Sequence, residues 1–536
     1  MLLIYNMLSV SNSLPVSNYS VKVVSEANGT VFNPQTNSRI RLSLPSSLGM
    51  ADMHSSYLQC KFRVVPPTLS QDAVAANRRD CYNMVIGEEQ GIEACFKNVK
   101  ISVDNKAVEE IQNYNVLHKF KKDFSEDNAQ KTLDSVFDRA IQSNDDAGFY
   151  CRTYTPATPV ATYNQPLKHI AKMGCSGVLS LPVGLPILAT GKLDIEIELE
   201  DANRVLAPRT SFNSIACTGL TTAAGNVDSV DLTFTDGATR YDVLGFVSSA
   251  DCPFAVGNTI RLRATVTGGN VIDVNRLITA VDDTGAGGEV KVTFASIAGG
   301  AGAGVGFDAG ANISCEIGRD VAGADYASQY SYEITEVQYI VRSIEMPPPY
   351  LQSLQKRIQQ NAFMMDIPTY TSYLGTLQAG INRQTINIPT FSSRVKSVLS
   401  VPVAAVQLAF SHSRRGVLDN IRNYQAQIGS RREPSRAVDL TNTTLSTSQY
   451  ASQEYLHELK KLLNANGIGL RSLRFHRDNF ALARSLSAMG GSEDLSDKGF
   501  RYDVEYNAAP TAKNVFSFVY HLKRIMVTPA GLEVMG

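Results

Sequence analysis

Six arginines fall within SHSRRGVLDNIRNYQAQIGSRREPSR (411–436): Arg414, Arg415, Arg422, Arg431, Arg432 and Arg436, set against Asp419 and Glu433. Guanidinium forks bind carboxylates and phosphates bidentately. The stretch therefore predicts either a contact with an acidic surface of another subunit, carried by Arg414, Arg415, Arg431, Arg432 and Arg436, or a contact with nucleic-acid phosphates. The plainer reading is a solvated loop whose ion pairs each contribute little. Other chemistry is sparse. SLQK (353–356) fits a Ser-x-x-Lys nucleophile pattern but has no companion motif. GGAGAGVG (299–306) lacks the spacing of a dinucleotide-binding loop and reads as a flexible turn. The histidines His54, His118, His169, His412, His457, His476 and His521 stand singly, and His457-Glu458 reads as partly exposed helix surface. Eight cysteines are dispersed with no CxxC pair, which argues against a zinc site and a disulfide framework and for buried free thiols in a reducing compartment. No catalytic residue, cofactor or metal site is assigned, and the chain does not read as an enzyme.

The elements that would carry these residues are mostly short strands. KLDIEIELE (192–200) alternates strictly, with Leu193, Ile195, Ile197 and Leu199 on one face and Asp194, Glu196 and Glu198 on the other. That period of two describes a sheet with one wet face. VKISVDNKAVEEI (99–111) reads as a hairpin turning at Asp104-Asn105. Two stretches are helical: NYNVLHKFKKDF (113–124), and SQYASQEYLHELKKLLNANG (448–467), capped by Ser448 or Ser452 and ended by Asn466-Gly467. The two flanks rhyme: strands, a helix, then strands. Between them, 207–330 is rich in Gly, Ala and Thr, with short alternating runs at Ile260–Val266 and Val290–Phe294, and reads as a small β insertion. In EVQYIVRSIEMPPPYLQSLQ (336–355) a strand-like run meets three prolines, which cannot continue a ladder, and a helix-like run of Leu351, Leu354 and Ile358 follows.

The 536 residues exceed one ordinary core and predict two or three domains. Hydrophobic residues at 43% and charged residues at 19% fit a globular chain. Net charge is -1, so nothing global draws the chain to nucleic acid or an anionic membrane. No run reaches the roughly 18 apolar residues of a membrane span. The apolar start MLLIYNMLSV has no flanking basic residue or cleavage signal and reads as a terminal arm or edge strand. Sequons occur at Asn18, Asn28, Asn312 and Asn442.

Three stretches carry a family likeness: FKNVKISVDNKAVEEIQNYNVLHKF (96–120), GVLSLPVGLPILATGKLDIEIELEDANRVL (177–206) and SYEITEVQYIVRSIEMPPPYLQSLQKRI (331–358), with INIPTFSSRVKSVLSVPV (386–403) and YHLKRIMVTPAGLEV (520–534) as later support. On these the chain resembles the double jelly-roll major capsid proteins of tailless icosahedral DNA viruses, nearest those of virophages and polinton-like viruses. The resemblance implies an all-β fold of two jelly-roll β-sandwiches in tandem with a few short helices. It implies a first roll at 1–206, a β-rich insertion at 207–330 facing outward, and a second roll at 331–536 that opens with the strand before the prolines. It further implies a pseudo-hexagonal homotrimer tiling an icosahedral shell, a place in the virion capsid after assembly inside the host cell, and penton and other minor capsid proteins as partners. The arginine cluster would then touch a neighbouring subunit or packaged DNA. A different class of reading, a secreted or surface β-sandwich that binds glycans, draws on the all-β character and the sequons. Against it stand the missing signal peptide and the absence of Trp. A β-rich hydrolase with scattered carboxylates is a third reading.

Overall fold

The computed structural model describes residues 18–26, 28–65, 84–86, 90–125, 166–182, 184–208, 215–223, 226–233, 259–265, 271–282, 289–297, 314–317, 331–360, 363–405, 414, 416–440, 452–469, 479–487, 490–528 and 531–535. The first part of the chain lays down β1 (Asn18–Ser25), β2 (Val31–Phe32), β3 (Arg39–Leu44), β4 (Met50–Val65), β5 (Met84–Ile86), β6 (Phe96–Val103), β7 (Lys106–Gln112), helix α1 (Tyr114–Ser125), β8 (Leu167–Ala171), β9 (Leu185–Pro186), the one-turn α2 (Ile187–Thr190), β10 (Leu193–Leu199), the one-turn α3 (Ala202–Val205) and β11 (Leu206–Pro208). The insertion contributes β12 (Ile215–Ala223), β13 (Asn226–Thr233), β14 (Thr259–Thr265), β15 (Val271–Asp282), β16 (Glu289–Ile297) and β17 (Ser314–Ile317). Then come β18 (Ser331–Glu345), α4 (Pro348–Gln359), β19 (Phe363–Leu377), β20 (Arg383–Ile388), β21 (Val395–Ala404), β22 (Ile421–Ile428), β23 (Arg431–Asp439), α5 (Gln453–Ala465), β24 (Leu482–Ser485), β25 (Phe500–Tyr506), β26 (Lys513–Thr528) and β27 (Gly531–Met535).

Two sandwiches arise. In the first, a sheet ordered β1-β18-β4-β8 faces one ordered β3-β10-β6-β7; in the second, β19-β26-β21-β24 faces β20-β25-β22-β23. With the main strands of each sandwich counted in chain order, both read 1-8-3-6 over 2-7-4-5. That is the jelly roll, built twice. The chain is all-β, two jelly rolls in tandem with a few short helices. The helix rhyme seen in sequence holds as well: α1 and α5 occupy the same place, between the fifth and sixth strands of their rolls. Between β11 and β18 the insertion forms a closed barrel ordered β12-β13-β16-β15-β14-β17.

Local sequence explains the elements. In β10, Leu193, Ile195, Ile197 and Leu199 are buried while the acidic residues between them face out. β25 repeats the pattern with Phe500, Tyr502, Val504 and Tyr506. The β6–β7 hairpin turns where Asp104 and Asn105 both take positive φ, at 49° and 63°, the geometry that matches strand twist in a two-residue loop. Helix α5 starts where the Ser452 hydroxyl accepts from the Tyr455 amide at 3.2 Å, buries Tyr455, Leu459, Leu462 and Leu463, and ends at Gly467 with φ 72°.

One boundary needs correction. The strand at 331–345 does not open the second roll. β18 pairs with β1 on one side and β4 on the other, as the eighth strand of the first roll. The three prolines do end it: Pro347 caps α4, and Pro348 and Pro349 fill its first turn, where missing amides cost nothing. The second roll begins at Phe363, and the insertion interrupts the first roll before its last strand. The apolar start at 1–10, the glycine run at 299–306, Arg415, His412 and His476 lie outside the described residues.

Candidate assembly surfaces

Where the two rolls meet, β7 lies against β19, β26 and β27. The Lys106 ammonium donates to the Leu532 carbonyl, Lys523 Nζ donates to the Val108 carbonyl at 3.1 Å, and Thr369 Oγ1 donates to Glu109 Oε1 at 2.8 Å. Glu109 faces this seam because β7 bulges: Ile101 pairs with Glu109 and Ser102 with Ala107, leaving Val108 extra, so Val108 and Glu109 are both buried. The Glu109 carboxylate also accepts from the Ser176 hydroxyl and from the Gly177 amide at 2.8 Å. Burial pushes this carboxyl up from its ordinary range, with those hydrogen bonds pulling partly back. Gly177 sits so close to the second roll that a Cβ there would lie 1.4 Å from the Pro368 carbonyl oxygen.

The seam also fixes orientation. Lys106, Val108 and Glu109, climbing β7, meet Leu532, Lys523 and Thr369, which the registers of β26 place at successive heights. Both rolls therefore point the same way. At one end lie the connections 45–49, 104–105, 172–192, 389–394, 429–430 and 486–499. From the other end leave 26–38, 378–382 and 507–512, together with the longer 66–95, 113–166, 405–420 and 440–481 and the barrel insertion. The block has two unlike ends.

A second buried network supports α1. His118 Nδ1 lies 3.0 Å from Glu93 Oε2, the Tyr114 hydroxyl donates to the same oxygen at 2.7 Å, and the Met173 amide donates to Glu93 Oε1 at 3.1 Å. Burial alone would raise Glu93, but the His118 charge and these hydrogen bonds outweigh it and hold the carboxyl at about 2. Burial likewise opposes charge on His118, and Glu93 overrides it, raising the imidazole to about 10. Cys60, Cys95 and Cys175 are buried free thiols.

The predicted arginine cluster separates. Arg414 is fully buried and donates across the seam to the Arg204 carbonyl, beside the stem of the insertion. It is a joint within the chain and not a contact surface for another subunit. Arg422, Arg431, Arg432 and Arg436 stand not on a loop but on the β22–β23 hairpin. Arg431 pairs with Glu433 at 2.8 Å and Glu493 at 3.3 Å. Arg432 and Arg436 are exposed on β23 and make no ion pair with a described residue. Glu458 corrects another reading: it is buried and holds Arg484 at 2.8 Å, while His457 beside it is exposed. Sequence reading missed Glu109, Glu93 and Asp366, which Arg394 and Arg524 grip bidentately. The bulge and the strand pairings that gather them leave no local pattern.

Outer faces differ. On the β3-β10-β6 face, charges answer each other within the sheet: Arg39 and Arg41 to Glu196, Lys97 to Glu198. The outer face of β1-β18-β4 has such pairs too, Lys61 to Glu336 and Arg63 to Glu333, with an apolar patch beside them. Val23, Ile340 and Tyr57 stand in register across its three strands, and Val21 and Val23 are 70% and 56% exposed. A groove of about 340 Å3 opens there, lined by Ser20, Val21, Ser55, Tyr57, Ile340 and Arg342. Among the described residues, no group of three His, Cys, Asp or Glu is placed to hold a metal ion, and no helix is long and apolar enough to cross a membrane.

No protein-family model matches the chain, and no curated protein matches it. Among solved structures it is similar to the PBCV-1 virus capsid, with TM-score 0.45 and 7% identity over 96% of each chain. It is similar to the Sputnik virophage structure, with TM-score 0.41 and 8% identity over 97% of this chain and 88% of that one. It is similar to the STIV MCP, with TM-score 0.33 and 8% identity over 96% and 98%. The structures it is similar to are viral capsid proteins, and its own strand order is the double jelly roll.

Proposed function

We propose that the protein is the major capsid protein of a tailless icosahedral virus, of virophage or polinton-like type, and that its work is association rather than catalysis. One observation carries the reading: the same eight-strand roll occurs twice, side by side and pointing the same way, in a block with two unlike ends. A block of that kind suits a shell, which needs distinct inner and outer faces. Three copies would form a pseudo-hexagonal trimer with six similar rolls around its axis, and trimers would tile the shell with penton and other minor proteins. The end bearing the insertion would face outward. Arg431, Arg432 and Arg436 would lie at subunit contacts. The protein would reside in the virion capsid, assembled inside the host cell.

Light scattering with negative-stain imaging of the same peak tests this. The expected mass is about three times the 58.2 kDa chain, with hexagonal outlines. A stable monomer under every salt condition overturns the reading.

A further inference from the structure

Away from β7, a second buried contact between the rolls brings together an amine, a carboxylate and a side-chain amide. Lys119 and Asp123 stand one turn apart on α1, with Lys119 Nζ 2.6 Å from Asp123 Oδ1. The other oxygen of that carboxylate accepts from Asn479 Nδ2 at 2.8 Å. Asn479 belongs to the second roll, on the connection that runs from α5 into β24. Its own carbonyl oxygen accepts from the Gly416 amide at 3.1 Å. Gly416 is fixed in turn: its carbonyl accepts from the Phe480 amide at 2.9 Å, and a Cβ on it would lie 1.7 Å from the Phe480 carbonyl oxygen. Lys119, Asp123 and Asn479 are each no more than 1% exposed, and Phe120, Phe124 and Phe480, beside them in the chain, are buried too.

Each group stands where amide exchange needs it. A desolvated lysine amine is a nucleophile. The Asn479 side-chain carbonyl is its electrophile, and the Gly416 amide already donates to the oxygen on which negative charge would build. Asp123 touches both the attacking nitrogen and the nitrogen that would leave, so one carboxylate can carry protons between them. Burial keeps out water, the competing nucleophile. We propose that Lys119 and Asn479 join in an amide bond, a covalent tie between the two rolls that each chain forms once. Asp123 takes a proton from the Lys119 ammonium. The freed amine attacks Asn479 Cγ, and the Cγ–Nδ2 bond breaks as the Cγ–Nζ bond forms. Two of the three ammonium protons end on the departing nitrogen, which leaves as ammonium, and Asp123 returns to a carboxylate. Nothing is oxidised or reduced. The finished bond acts on the unfolded chain as a disulfide does, by closing a long loop.

Mass spectrometry of the full wild-type chain, intact in denaturant and after trypsin, tests this. The intact mass is expected to fall below the sequence mass by one ammonia. Trypsin should spare Lys119 and release a branched peptide joining AVEEIQNYNVLHKFK (107–121) to DNFALAR (478–484). A chain at full sequence mass that is cut after Lys119 overturns the proposal. So does an ammonia loss without the branch, as a cyclised asparagine gives, or a water loss from a Lys119–Asp123 lactam. Lys119→Met and Asn479→Ala should each run at the full mass of their own sequences. Asp123→Asn keeps both reacting groups and should lose most of the branched peptide; a wild-type yield from it overturns the role of the carboxylate. The wild-type digest decides the bond itself whether or not the variants fold.

Discussion

In the unfolded chain Glu93 titrates near 4.5 and His118 near 6.5, and in the fold they move to about 2 and about 10. The depressed carboxyl contributes stability that is present above pH 4.5 and lost as pH falls towards 2. The raised imidazole contributes stability that is complete below pH 6.5 and lost as pH rises towards 10. The pair therefore gives a plateau between those values with a falling limb on each side. His118→Gln is expected to cost about 3–5 kcal/mol at pH 6, because it strands a buried carboxylate. It should also flatten the alkaline limb in urea unfolding measured from pH 5 to 10. A variant with the wild-type alkaline limb would show that His118 is not the charged partner. None of this was legible in sequence. His118 looked like one histidine among seven scattered singly, and Glu93 reaches it only because a short 3-10 turn at Ile92–Cys95 meets α1 in space.

At the scale of elements, Gly177 has the most to lose. A methyl group there would collide with the Pro368 backbone, which cannot swing aside as a side chain can. Gly177→Ala is expected to destabilise the chain by several kcal/mol, of order 2–4 by analogy with overpacked cores, and to part the rolls locally. Limited proteolysis reads this as faster cutting between the rolls, near α4; unchanged cutting would mean that the seam yields elsewhere. Elements whose cause is local were readable in advance: the Asp104-Asn105 turn, the alternation of β10, the Ser452 cap of α5. β18 shows the limit. Its alternation marked it as a strand and its prolines marked its end, but its partners β1 and β4 lie some three hundred residues back in the chain. Pattern gives a strand's faces and its length, not its neighbours.

For the molecule as a whole, the insertion reads as a detachable unit. Among the described residues its six strands pair only with one another, and β12 and β17 lie side by side, so the barrel's first and last described strands are adjacent. A closed barrel has no edge to lend to the rolls. Replacing 209–330 with a short flexible linker is expected to leave both rolls folded, with far-ultraviolet circular dichroism still β-type and a single cooperative melt. Loss of that melt would show that the barrel holds the first roll together. Its place, just before β18, bears also on how the protein is made. β18 is an interior strand of its sheet, and the ribosome must first cross the whole insertion, which takes on the order of ten seconds at about 5–20 residues per second. Until then β1 and β4 have no strand between them, and the nascent first roll lacks one of its eight strands. The order of synthesis thus makes the barrel the earlier of the two units able to complete itself, although the first roll begins two hundred residues sooner.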